Sequence, residues 1–127
     1  MNQVIIGVGS NINPKENILK AREAIRDEHC IRKVSLFKET LPIGRADQAN
    51  FINGVFLIET SWDQVRLKQW LVRLEKRLER VRGSDPFGPR TIDLDIVVWN
   101  GAVIDGDVYE RDFLQASVRE VMPQCFE

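Results

Sequence analysis

At 127 residues, 43% hydrophobic and 29% charged, the chain is the size of one domain, residues 1–127, with enough apolar side chains for a real core. Its 18 basic and 19 acidic residues leave a net charge of −1, which excludes a global basic field for nucleic acid and confines cationic chemistry to local clusters. No apolar run reaches membrane-spanning length, the start Met-Asn-Gln-Val-Ile-Ile-Gly lacks a secretory pattern, and Cys30 and Cys125 lack metal-type spacing, so the expectation is a cytoplasmic protein with isolated thiols that binds neither nucleic acid nor membrane.

Residues 3–8 form a short apolar run that suits a buried strand, ended by the turn cluster Gly9, Ser10 and Asn11. Asn13 reads as an N-cap, with Pro14 at the first helical position and Glu16 three residues after the cap. The spacing predicts a helix from Pro14 to Glu28 with Ile18, Ala21 and Ile25 on its apolar stripe. His29 falls at the end of that helix, where a polar surface role or a favourable charge against the dipole outweighs catalysis. A second strand is predicted over Ile31 to Glu39, with Val34 and Leu36 alternating against charged neighbours, before the breaker Thr40-Leu41-Pro42-Ile43-Gly44 and a polar loop from Arg45 to Asn50.

Phe51 to Thr60, rich in aromatic and β-branched residues, reads as a third strand. Ser61 is placed as the cap of a second helix with Gln64 at the capping-box position, and Leu67, Leu71, Leu74, Leu78 and Val81 repeat at helical spacing. Gly83 to Pro89 is a loop, Thr91 to Trp99 a fourth strand, and Asn100-Gly101 a turn into Ala102 to Ile104. A last helix is predicted over Phe113 to Val121. The order gives an α+β, ferredoxin-like βαββαβ antiparallel sheet with both long helices on one face, plus a C-terminal hairpin strand and short helix.

The fourth strand carries the clearest chemistry. Alternation sets Ile92, Leu94, Ile96 and Val98 on one side and Asp93, Asp95, Val97 and Trp99 on the other. Residues two apart share a face about 6.5 Å apart along a strand, so the two carboxylates stand together. Same-face acids repel, and an apolar strand rarely keeps such a pair without a compensating cation. Hard oxygen ligands beside an arginine-rich loop suit a magnesium polyphosphate site.

Arg80, Arg82 and Arg90 bracket that loop, although Arg80 and Arg82 by themselves read better as the cationic end of a helix. Phe51 and Asn53 share a strand face, either to stack a flat heterocycle and read its edge or simply as a buried ring beside a turn-proximal amide. Gly7, Gly9 and Ser10 lie where a phosphate loop could sit, but neither a Gly-Lys-Ser/Thr nor a G-x-G-x-x-G pattern follows.

In order, the segments Gly9-Ser-Asn, Thr40 to Gly44, Phe51-Ile-Asn-Gly and Phe87-Gly-Pro-Arg-Thr-Ile-Asp-Leu-Asp95 resemble the 6-hydroxymethyl-7,8-dihydropterin pyrophosphokinase family over Val4 to about Gln124. The resemblance implies transfer of pyrophosphate from ATP to a reduced pterin alcohol, with ATP as co-substrate, two magnesium ions on Asp93 and Asp95, and a monomer or weak homo-oligomer. It places Arg80, Arg82, Arg90 and Asp95 in catalysis and Thr40, Leu41, Pro42, Ile43, Phe51, Asn53, Phe87 and Phe113 around the pterin. Glu75, Arg82, Arg90, Ile96 and Arg111 are placed near the nucleotide. Phe87 stands where the family usually has tryptophan, and Phe51 where it has tyrosine. The stretch between Asn100 and Arg111 is short: the family's Pro-His-Tyr motif has only Asp107, Val108 and Tyr109 nearby, and the family's segment beyond the last helix is absent from this sequence. The trimmed region leaves an alternative, a pterin-binding paralogue with weakened or lost ATP chemistry. An RNA-binding module of the same topology lacks the aromatic and basic display it needs.

Overall fold

The computed structural model describes residues 1–40, 50–78 and 91–126. Among these, six strands and four α-helices follow in the order β1 (Asn2–Ser10), α1 (Pro14–Glu28), β2 (Cys30–Val34), β3 (Lys38–Thr40), β4 (Phe51–Thr60), α2 (Gln64–Leu78), β5 (Asp93–Trp99), β6 (Ala102–Val103), α3 (Asp107–Glu110) and α4 (Asp112–Val121). One sheet runs β2-β4-β1-β5-β6, with β3 also paired to β4, and every pairing is antiparallel.

Alternation along β1 builds two cores. Val4, Ile6 and Val8 point with Phe56, Ile58 and Leu94 toward Ala21 and Ile25 of α1 and Leu67, Leu71 and Leu74 of α2. Ile5 points the other way, with Val55, Leu57 and Val97, toward Val118, Val121 and Met122 at α4. Both long helices therefore share one face, as the sequence predicts, while the short C-terminal helix covers the other.

The first helix has the predicted ends, but Asn13 makes no side-chain cap: it adopts a left-handed φ of 40° and its carbonyl accepts the Asn17 N–H. Helix α2 is capped by Asp63 rather than Ser61, since Asp63 Oδ1 accepts the Arg66 N–H at 2.8 Å. The predicted second strand is two strands. At Ser35 the backbone N–H bonds the Val55 carbonyl while the Ser35 hydroxyl accepts the Val55 N–H, so a side chain substitutes for the ladder and Leu36 swings out to 69% exposure.

The fourth strand also departs from simple alternation. Ile5 pairs with Val98 but Ile6 pairs with Ile96, leaving Val97 as an extra residue in a β-bulge. Beyond it the faces exchange: Val98 joins Val97 in the α4-side core, and Trp99 joins Ile96 on the α1/α2 side. Asp93, Asp95 and Val97 keep their shared face. The turn that follows has φ of 48° at Asn100 and 85° at Gly101, the left-handed pair of a type I′ hairpin.

His29 is not a surface residue. It is buried at the end of α1, its ring edge-to-face with Trp62 at 4.5 Å and Trp70 at 5.0 Å, and its Nδ1 is 3.0 Å from the Thr60 hydroxyl. Thr60 Oγ1 also accepts the Trp62 N–H at 3.1 Å. Burial lowers the His29 pKa, Arg66 adds to the lowering, and Glu28 opposes it.

Candidate active site

The chemistry gathers where β1 and β5 meet the start of α4. In register, Gly9 stands opposite Asn53 on one side and Asp93 on the other, and Gly7 stands opposite Val55 and Asp95. Both glycines are strand residues, consistent with rejecting a phosphate loop. Their missing side chains form the floor of a cleft of about 530 Å³ counted to its open mouth, whose lining includes Asn53, Asp93, Asp95, Arg111 and Phe113. A Cβ at Gly9 would lie 2.5 Å from Asn53 Oδ1, and one at Gly7 would lie 3.1 Å from Val97 Cγ2.

Asn53 is oriented from beneath: its Nδ2 donates to the Thr40 hydroxyl across the β3–β4 pairing. That bond commits the amide nitrogen and leaves Oδ1 over Gly9 in the cleft, where it can accept from the edge of a ring. Phe113 supplies an aromatic wall. Phe51 is half-buried at the start of β4 and is not part of the cleft lining.

Asp95 is solvent-accessible, yet the protein around its carboxyl raises its pKa by desolvation first, and then by repulsion from Asp93, Asp105 and Asp107, with Lys68 opposing. Asp105 and Asp107 were not anticipated as neighbours. The bulge brings them in: the Val97 carbonyl accepts the Ile104 N–H at 2.9 Å and the Asp105 N–H at 3.3 Å, and Asp105 Oδ1 then accepts the Asp107 N–H to begin α3. The Asn100-Gly101 turn carried the available signal, because pairing Trp99 with Ala102 and Val98 with Val103 returns residues 104 and 105 to Val97.

On the other side of Asp95 a second recess is lined by Gln64, Lys68, Ile96, Ile104, Asp105 and Gly106. Arg111 reaches the first cleft while pairing with Asp107 at 3.5 Å. Glu75 accepts the Leu94 N–H at 2.7 Å. The structure therefore brings Asn53, Asp93, Asp95, Arg111 and Phe113 to one cleft, puts Ile96 at the adjoining recess, and sets Thr40 and Glu75 one bond away. Leu41, Pro42, Ile43, Arg80, Arg82, Phe87 and Arg90 lie outside the described residues.

The donor set fits magnesium. Among the described residues no three acidic, histidine or cysteine side chains form a metal cage. Magnesium instead takes one or two carboxylates and completes its shell with phosphate oxygens and water. The raised Asp95 pKa, set first by desolvation and then by Asp93, Asp105 and Asp107, is compatible with a cation there, which would favour the ionised carboxylate.

The family model of 7,8-dihydro-6-hydroxymethylpterin-pyrophosphokinase matches residues 5–123. The chain belongs to this family. It is 35% identical to the 2-amino-4-hydroxy-6-hydroxymethyldihydropteridine pyrophosphokinase of Bacillus subtilis, over 97% of this chain and 80% of that one. With the enzyme of the same name from Haemophilus influenzae it shares 32% identity over 91% of this chain and 79% of the relative, and with that of Aquifex aeolicus 31% over 97% and 82%. The family is one of ATP-dependent pyrophosphokinases, and the cleft of this member sets two carboxylates beside an aromatic ring and an oriented amide.

Proposed function

We propose that the protein transfers pyrophosphate from ATP to 6-hydroxymethyl-7,8-dihydropterin, giving AMP and the pterin diphosphate in folate biosynthesis. The observation that carries this reading is the shared cleft, in which the paired carboxylates of β5 adjoin Asn53 and Phe113. Asp93 and Asp95 would hold two magnesium ions, which would supply charge neutralisation of the triphosphate and activation of its β-phosphorus.

The chain's own residues position the partners. Phe113 stacks on the pterin, and Asn53 Oδ1 accepts from the ring edge while Thr40 keeps the amide from rotating. The family resemblance adds Leu41, Pro42, Ile43, Phe51 and Phe87 to the pterin side, of which Phe51 stands outside the cleft lining. Arg80, Arg82, Arg90 and Arg111 contact phosphate, with Ile96 against the base and Glu75 on the nucleotide side. The 6-hydroxymethyl oxygen forms a bond to the β-phosphorus as the bond to the α–β bridging oxygen breaks, and AMP leaves. Holding the alcohol in line turns a bimolecular encounter into an intramolecular step.

The paired aspartates, not the short 100–111 segment, favour ATP chemistry with a trimmed nucleotide side over its loss: both acids line one cleft, and a pure pterin binder has no need to keep them together there. The reading extends to a protein acting in the cytoplasm on small molecules alone, as a monomer or weak homo-oligomer. The test is AMP formation from magnesium, ATP and the pterin alcohol. Wild-type protein forms AMP only with magnesium, and Asp95→Ala forms none; near-normal turnover by Asp95→Ala overturns the assignment of the metals.

A further inference from the structure

Strand β5 is poorly supported where it carries its two acids. β6 pairs only with Val98 and Trp99, so among the described residues no strand flanks β5 on that side at Asp93–Asp95. Leu94, between the acids, would there offer its backbone N–H to an open edge. Helix α2 meets that need. Leu71 and Leu74 bury into the core and place Glu75, half-buried at the margin of the apolar stripe, beside β5, and Glu75 Oε2 accepts the Leu94 N–H at 2.7 Å.

We propose that Glu75 is a positioning residue, whose carboxylate accepts the Leu94 N–H where no described strand does, fixes the backbone between Asp93 and Asp95 and so fixes how the two carboxylates are presented. The proposal rests on the reading of those acids as the magnesium ligands. The bond has a geometric consequence: Leu94 is flanked by both acids, so rotation or fraying of its peptide moves both carboxylates together. It also assigns Glu75 a role that an oxygen acceptor performs, distinct from any charge it brings to a nucleotide.

The two roles separate in the variants Glu75→Ala, which removes the acceptor, and Glu75→Gln, which keeps an oxygen and removes the charge. In ligand-free protein, amide hydrogen exchange at Leu94 accelerates about tenfold or more in Glu75→Ala and stays within about threefold of wild type in Glu75→Gln. The magnesium concentration that half-saturates AMP formation rises about ten- to a hundredfold in Glu75→Ala, as for loss of a group that orients a metal ligand, with the KM for pterin unchanged. Glu75→Gln restores most of that loss.

Unchanged Leu94 exchange and magnesium requirement in Glu75→Ala overturn the proposal. So does a Glu75→Gln variant as impaired as Glu75→Ala, which would show that the charge, not the acceptor, is what matters. Should Glu75→Ala fail to fold, the Gln variant decides alone: wild-type-like Leu94 exchange and magnesium dependence support the proposal, and wild-type exchange with a large rise in magnesium requirement refutes it. Failure of the metal reading itself is seen separately, as AMP formation by Asp95→Ala, and the exchange measurement needs no metal.

Discussion

The two ends of the β1–β4 ladder solve opposite problems. At the Asn2–Thr60 end, His29 is enclosed by Trp62, Trp70 and the Thr60 hydroxyl and kept neutral, so a polar group is buried without burying a charge. At the Ser10–Ile52 end, glycines replace side chains on the cleft floor, and the pKa of Asp95 is raised, by desolvation first and then by the neighbouring carboxylates. One end is arranged for stability. The other gathers carboxylates in a cleft, which is where perturbed acids are expected in an enzyme.

After loss of Asp95 itself, the largest effect expected at the open end comes from filling its floor. Gly9→Ala puts a methyl 2.5 Å from Asn53 Oδ1, so Asn53 must move. With a catalytic misplacement approaching 1 Å, kcat/KM for the pterin falls about a hundredfold, measured by steady-state kinetics, while the melting temperature changes little. An unchanged kcat/KM would remove Asn53 from the account.

A smaller change sharpens the role of its partner. Thr40→Val keeps the shape and removes the hydroxyl that accepts from Asn53 Nδ2. A net hydrogen bond of about 1 kcal/mol is lost, and the pterin KM rises up to about tenfold with kcat nearly constant. A fall in kcat at constant KM would instead place Thr40 in the chemical step.

The closed end gives the smallest effect, and one of opposite character. The folded-state pKa of His29 is lowered while the unfolded chain takes up a proton near pH 6.5, so stability is retained at neutral pH and lost as pH falls below about 6.5 toward the folded value. Melting curves between pH 7.5 and 5 should show a His29-dependent drop on the order of a few °C that His29→Leu flattens. A slope of the same size in the variant would assign the pH dependence to other groups.

The sequence made the regular parts legible because local signals agreed. Pro14, the α1 and α2 apolar stripes and the Asn100-Gly101 turn each mark an element that tertiary packing then reinforces. The shared face of Asp93 and Asp95 was legible for the same reason, as period two holds up to Val97. The bulge was hidden because Val97 and Val98 are both apolar, so slipping the register by one residue leaves no polar side chain in the core. Asp105 and Asp107 escaped with it. The break at Ser35 was masked by the alternation of Val34 and Leu36, and the burial of His29 depends on tryptophans distant in sequence. Glu75 reads from sequence as one more helix acid, since no local pattern reveals that a strand edge lies beside it.

The central claim is that the Asp95 carboxylate is kept for function against the interest of the fold. Because its folded-state pKa is raised, stability from the protonated form is present at low pH and lost as pH rises through that pKa, so at neutral pH its charge is destabilising. The direct measurement is the melting temperature of magnesium-free Asp95→Asn against wild type at pH 7.5, alongside AMP formation with magnesium present. The account predicts a variant that melts higher and makes no AMP; one that melts at or below wild type, or that turns over near normally, contradicts it.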